Sequence, residues 1–330
     1  EHVDSAKAKI ASTSPQITAA EMIEGDCANC HRDLKSRLRD TALLNVADWT
    51  DHPDFRPLIT VNAKGPLLAR IPLADHPLDN NGLIFPHATH LSRTGGVARM
   101  AIVLGKARGY GAPLDCANCH RADGGGFKPI EMVRDCSACH SLAFAHEGGR
   151  VMMLPHGHPD QVVTALTSFY ESGTPADMSD LFHRRPGNEN APPMPPSGDS
   201  VARGVRAVFS KGGACYGCHT IIPPSNLKSL NFNIAPVHLE NRFLPRGGFD
   251  HSVPAHRMDA NGKPNCDSCH ASRSSTRAAD LLLPPIAKCA ACHGQTKLVT
   301  AQAASGDCTE CHVYHNPGTP AVYAAWDAKP

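Results

Sequence analysis

At 330 residues the chain is long enough for two ordinary domains, yet only 5% of it is aromatic, with two Trp. That is thin for a protein of this size if side chains alone must fill its interior. The polypeptide carries a formal charge of +1, and no apolar run approaches membrane-spanning length, so no transmembrane segment is expected; the richest run, Val97 to Leu104, is interrupted by Arg99.

Residues 1–26 are polar with little periodicity and are expected to form an N-terminal arm. The chain begins at Glu1 rather than Met, which reads as a mature product whose signal peptide has been removed. His2 lies in the arm, either as a solvated tail residue or as a ligand donated to a neighbouring subunit. The motif Cys27-Ala28-Asn29-Cys30-His31 comes next. After it, Arg32 to Leu38 holds good helix formers with apolar residues four apart, which predicts a short helix. Asp51-His52-Pro53 and Asp75-His76-Pro77 are turns stiffened by proline, each able to aim a histidine. Between them, residues 58–73 predict a short hairpin around Lys64-Gly65.

Two histidines three residues apart stand in Phe85-Pro86-His87-Ala88-Thr89-His90. From there to Cys116 the glycines at 95, 96, 105, 109 and 111 read as a flexible loop. The motifs Cys116-Ala117-Asn118-Cys119-His120 and Cys136-Ser137-Ala138-Cys139-His140 follow, separated by Gly124-Gly125-Gly126. That glycine run is not a phosphate loop, since no Lys-Ser/Thr follows it on a helix. Past them lie His146, His156 and His158. Pro159 then opens the clearest helix of the chain, with Val162, Val163, Leu166, Phe169 and Tyr170 on one face. His156, just ahead of it, is well placed to be held as a ligand.

Residues 171–200 are polar and proline-rich around Ala191-Pro192-Pro193-Met194-Pro195-Pro196-Ser197 and read as a linker. A helix over Val201 to Lys211, stopped by Gly212-Gly213, leads into Cys215-Tyr216-Gly217-Cys218-His219. Phe249-Asp250-His251, with His256 downstream, precedes Cys266-Cys269-His270, Cys289-Cys292-His293 and Cys308-Cys311-His312. An Phe-x-His with a second histidine, ahead of closely spaced motifs, therefore occurs twice, as a repeat of architecture without close sequence identity. The expected organisation is an arm (1–26), a domain with three motifs (27–170), a linker (171–200) and a domain with four (201–330).

Cys-x-x-Cys-His thus occurs seven times and uses all 14 cysteines. A disulfide scaffold would not place a histidine after every second cysteine. Zinc sites join Cys-x-x-Cys units in pairs, and seven do not pair evenly. A thioredoxin-like motif occurs singly. What remains is c-type haem: the cysteines form thioethers to the porphyrin and the adjacent histidine ligates iron. Seven covalent haem c groups are expected, with proximal ligands His31, His120, His140, His219, His270, His293 and His312. Stacked haems would then build the core, in a fold that is mainly irregular with short α-helices and little β. Ionised propionates make the holoprotein acidic, which argues against nucleic acid as a partner. Attachment of haem takes place outside the bacterial cytoplasmic membrane, so the periplasm, the cell surface or the exterior is implied.

Phe85-Pro86-His87 with His90, ahead of paired motifs, resembles the class III cytochromes, the c3 and c7 group; Phe85–Leu91, Leu154–Tyr170 and Phe249–His315 carry the likeness to that superfamily. The resemblance implies that the first histidine of such a pair ligates the next haem in sequence and the second the one after. His87 and His90 would serve the motifs at Cys116 and Cys136, and His251 and His256 those at Cys266 and Cys289. The second pair is spaced by five residues instead of three, and no histidine stands just before Cys136, which are departures from the pattern.

Of the 20 histidines, seven are proximal, leaving 13. Beyond the two pairs, the distal candidates are His238, His315, His52 and His156. His52 or its competitor His76 would serve the first motif, and His238 the fourth or the seventh. His315, three residues after His312, cannot reach the opposite face of the same iron. Methionine ligation by Met152 or Met153 is the minor alternative.

Two-histidine ligation closes iron to substrate, so the expected activity is electron transfer and not enzymatic turnover. Its partners would be other redox proteins: cytochromes, quinol-oxidising systems or extracellular acceptors. One alternative is a subunit of a polymeric cytochrome filament, with copies of the chain as partners. The other is a multihaem oxidoreductase with one open iron.

Overall fold

A computed structural model describes residues 24–41, 43–62, 67–147, 149–172, 200–239, 243–245, 247–294, 304 and 306–312. The expected arm before residue 24, the turn at Lys64-Gly65, the proline-rich centre at 191–197, His2 and His315 lie outside them. The helices are α1 (Glu24–His31), α2 (Leu34–Arg37), α3 (His87–His90), α4 (Gly95–Arg108), α5 (Pro159–Glu171), α6 (Ser200–Phe209), α7 (Pro254–Arg257), α8 (Ile286–Ala290) and α9 (Cys308–Cys311). Strands pair only as two-stranded antiparallel ribbons: β1 (Leu58–Asn62) with β2 (Leu67–Arg70), and β3 (Ala122–Asp123) with β4 (Gly126–Phe127). Likewise β5 (Ala143–Glu147) pairs with β6 (Arg150–Met153), and β7 (Ile221–Ile222) with β8 (Asn233–Ile234).

One side-chain core is built in the ordinary way. Val162, Leu166 and Phe169 recur at helical spacing along α5 and turn one face inward, with Pro159 in the first turn. They meet Val205, Val208 and Phe209 of α6 and Phe144 and Ala145 of β5. Phe144 meets Phe169 edge to face at 5.1 Å, and Phe209 stacks on Phe232 at 5.0 Å. Gly204 lets α6 approach α5, because a Cβ there would meet the Tyr170 ring at 2.6 Å. This cluster straddles the boundary drawn at 171–200.

Elsewhere the two sequence halves are laced together by backbone hydrogen bonds. Leu58 N–H donates to the Phe243 carbonyl at 2.8 Å, Asp79 N–H to Ala279 at 2.9 Å, and His238 N–H to Asn81 at 2.8 Å. Gly82, at φ 81°, passes so close to the Pro236 carbonyl that any Cβ would run into it.

The stretch between His90 and Cys116 corrects the expectation of a flexible loop, since α4 occupies Gly95–Arg108. Its glycines have local jobs instead. Gly109 closes the helix in the left-handed region at φ 78°, and buried Gly105 admits the backbone of Gly111. No helix among the described residues is long and apolar enough to cross a membrane.

Leu166 is fully buried in this core. Leu166→Ala is expected to lower stability by about 2–5 kcal/mol, read as an earlier midpoint in chemical denaturation. Val151→Ala, on the exposed side of β6, should stay within about 0.5 kcal/mol of the parent.

Candidate functional site

Around that core the rest of the described chain wraps a continuous cavity of about 5410 Å³. Ordinary interiors have few voids larger than a water molecule, and a site for one small molecule spans about 300–1,000 Å³. Every one of the seven motifs places cysteine and histidine on the wall. Shared among seven motifs, the cavity comes to about 770 Å³ for each, the size of a site for one large prosthetic group.

Across this cavity histidines face each other in pairs. His90 meets His140 with ring centroids 6.2 Å apart, His156 meets His219 at 6.0 Å, and His251 meets His270 at 6.3 Å. His256 meets His293 at 6.1 Å and His52 meets His312 at 6.0 Å. After burial, His120 and His90 are the largest electrostatic influences on His87. A metal ion between two imidazoles, about 2 Å from each nitrogen, sets the ring centroids about 6 Å apart. Each pair therefore has the spacing of two axial ligands on one metal.

Three local devices hold the rings. The first is a hydrogen bond at Nδ1 to a backbone carbonyl: His52 to Pro53 at 2.7 Å, His90 to Pro86 at 3.0 Å and His256 to Asp250 at 2.8 Å. His251 to Gly125 at 3.2 Å and His270 to Leu282 at 2.7 Å do the same. A proton on Nδ1 leaves the Nε2 lone pair for a metal. The second device is an aromatic wedge. Phe85 stacks on His90 at 4.3 Å and meets His87 edge-on at 4.9 Å. Phe249 repeats this, stacked on His256 at 4.5 Å and edge-on to His251 at 4.6 Å. The third is the turn of each motif, where the histidine N–H donates to the carbonyl of the first cysteine, at 2.8–3.0 Å for His120, His140, His219, His270, His293 and His312. That bond curls both sulfurs and the ring toward one side.

Electrostatics favour the neutral forms. Burial pushes the Cys116 thiol up to about 12, reinforced by Cys266 and Asp115, and the Cys136 thiol up to about 11, reinforced by Cys119 and Cys218. Thiols held this way are poor thiolate ligands for a bare metal. Burial also pulls His87, His120, His219 and His251 below the usual imidazole value, so each is a neutral donor near pH 7. No group of three or more His, Cys, Asp or Glu side chains among the described residues is arranged to hold a metal ion. Two opposed imidazoles are instead what a metal already held in a flat four-nitrogen ring requires.

A haem fits these residues. At least one cysteine stands with the proximal histidine of every motif on the cavity wall, and both do in six of the seven. The structure sets His90, His251 and His256 against the third, fifth and sixth motifs, and His156 against the fourth, while His87 lies within electrostatic reach of His120 of the second. Two expectations are corrected. His52 faces the seventh motif and not the first, because residues 48–52 turn Trp49 and His52 together toward His293 and His312. The fourth and seventh motifs, for which His238 was a candidate, meet His156 and His52 instead, and the Nε2 of His238 is buried without a hydrogen-bond partner. His76 sits exposed in the left-handed region at φ 49°, closing a short turn. His31 of the first motif lines the same cavity as the others.

Sequence reasoning missed Trp49, Phe127 and Asp135. The signal for Trp49 was its rarity, one of two Trp. Asp135 is 1% exposed and takes Arg121 at 2.7 Å, Arg134 at 2.8 Å and the Glu131 N–H at 2.8 Å. Burial would raise its carboxyl, but the Arg134 and Glu131 hydrogen bonds outweigh it and hold the group below the usual carboxylate range. It ties the second motif's Arg121 to the turn that leads into Cys136.

The chain matches no family profile, no curated protein and no solved structure.

Asp135→Asn keeps the shape of that clamp and removes its charge, so stability should fall by about 1–3 kcal/mol. Chemical denaturation against Asp123→Asn, on an exposed residue, checks this; equal midpoints would show the clamp to be idle.

Proposed function

We propose that the protein carries seven covalently attached c-type haems and conducts electrons between redox partners outside the cytoplasm. The observation that carries this reading is the set of five opposed histidine pairs at 6.0–6.3 Å, each with one member in a Cys-x-x-Cys-His motif. When bound, each haem supplies an iron that accepts and releases one electron, at a potential set by its axial ligands and surroundings.

The chain's own residues do the rest. The cysteines would hold the group as thioethers, each S–H adding across one vinyl of the porphyrin. His140, His219, His270, His293 and His312, with His90, His156, His251, His256 and His52 opposite them, would hold iron, and His120 with His87 near it would do the same. The carbonyls of Pro53, Pro86, Asp250 and Gly125 keep Nδ1 protonated and the rings oriented. Held between two histidines, such an iron would offer substrate no open position. That favours a conductor over an oxidoreductase.

The purified holoprotein should carry seven haems that survive denaturation, counted by intact mass, and its ferric spectrum should be dominated by low-spin signals. His156→Ala removes the ring opposite His219 and should add one high-spin ferric signal in electron paramagnetic resonance. Loss of all haem to acid extraction, or an unchanged spectrum in the variant, would sink the assignment.

A further inference from the structure

We infer that the seven sites form one unbranched row in space, ordered first, seventh, sixth, fifth, second, third, fourth. The two sequence halves, with sites one to three and four to seven, then meet at three steps, first to seventh, fifth to second and third to fourth, and the first and fourth lie at the ends. This rests on the haem reading and goes beyond it, because chain order alone would join the halves once, through the third and fourth.

Each step of the row has its own contact. The second and third sites share Phe85, which touches both His87 and His90, and are tied by Arg121 and Asp135. The fifth and sixth share Phe249 in the same way, through His251 and His256. Between the sixth and seventh stands Trp49, 6.5 Å from His293 and 5.5 Å from His52. Gly294 and Gly306 make room for that indole, since a Cβ on either would run into it. The seventh reaches the first where α9 packs on α1. The third reaches the fourth where the Cys136 thiol lies within electrostatic reach of Cys218, beside the segment before α3, whose Ile84 N–H donates to the Cys218 carbonyl at 2.7 Å.

The decisive step is the joint between the second and fifth sites. Phe127 of β4 lies 6.0 Å from His120 and 4.9 Å from His251, touching one histidine of each site. His251 N–H donates to the Gly125 carbonyl at 2.9 Å, and Gly125 admits Asp250, whose Oδ1 would stand 2.7 Å from a Cβ at that position. Arg273 closes the far side, holding Asp267 at 2.6 Å beside Cys266 and Asp115 at 3.3 Å beside Cys116. The glycine run at 124–126 is thus a landing place for the Phe249-Asp250-His251 segment. Phe127 is the positioning residue of the joint, since its ring touches both His251 and His120.

The test compares the wild-type and Phe127→Leu holoproteins by the nuclear magnetic resonance signals of individual ferric haem methyl groups. The signals of the second and fifth sites should shift together while those of the fourth stay in place. A shift at the second alone, or joint shifts at the fourth and fifth, would overturn the row. Should the variant not accumulate, a stepwise reductive titration of the wild type asks the same question. Reduction of the fifth site should displace the midpoints of the second and sixth more than that of the fourth, and the reverse ranking would overturn it. A mass short of seven haems defeats the reading beneath, whereas a full complement with the wrong couplings defeats the row alone.

Discussion

The distance between two opposed imidazole rings governs this structure. It stays within 6.0–6.3 Å at five places, although the rings that meet come from remote parts of the chain. His52 and His312 lie near opposite ends of the described residues, and His251 hangs from the Gly125 carbonyl in the other half. Closing such long loops is opposed by chain entropy, which grows only slowly with loop length. Each closure must still be offset by something other than aromatic side chains, which are few. In the proposed reading a covalent group clamped between two nitrogens supplies that offset at every pair.

The chain divides its interior accordingly. One segment, from β5 through α5 and α6 to Phe232, packs by the usual rules and buries Phe144, Leu166, Val205 and Phe209 almost completely. The rest lays cysteines, histidines and a handful of aromatics on the wall of the cavity. That cavity explains why His120 is accessible on its surface yet surrounded closely enough for burial to lower its pKa. Neutral rings and neutral thiols are also the forms least penalised in a low-dielectric interior.

Much of this was legible in the residues. The motifs, the Phe-x-His repeat and the amphipathic α5 stand out because spacing alone encodes them. His87, His90, His251 and His256 could be ranked because an aromatic precedes each pair at the same offset. His52 and His238 could not be placed, since which distal ring meets which motif depends on how the halves interlock, and one sequence carries no record of that. The helix at Gly95–Arg108 was hidden because its glycines look like loop residues, whereas one closes the helix and another lets the backbone of Gly111 approach. Phe127 and Trp49 were invisible for a related reason: each acts on histidines that are distant in the chain.

The aromatics also explain why the chain has so few and places them where it does. Phe85, Phe249, Trp49 and Phe127 each touch the rings of two different sites. A ring stacked on one imidazole and edge-on to another gains contact with both and fixes their relative orientation. Movement at one site is therefore transmitted to the next through a stiff side chain with only two rotatable bonds. Backbone carbonyls reinforce this by fixing the tautomer at the same histidines. The outcome is a set of sites that cannot be repositioned singly, which suits a relay whose rate depends on the spacing between neighbours more than on the chemistry at any one of them.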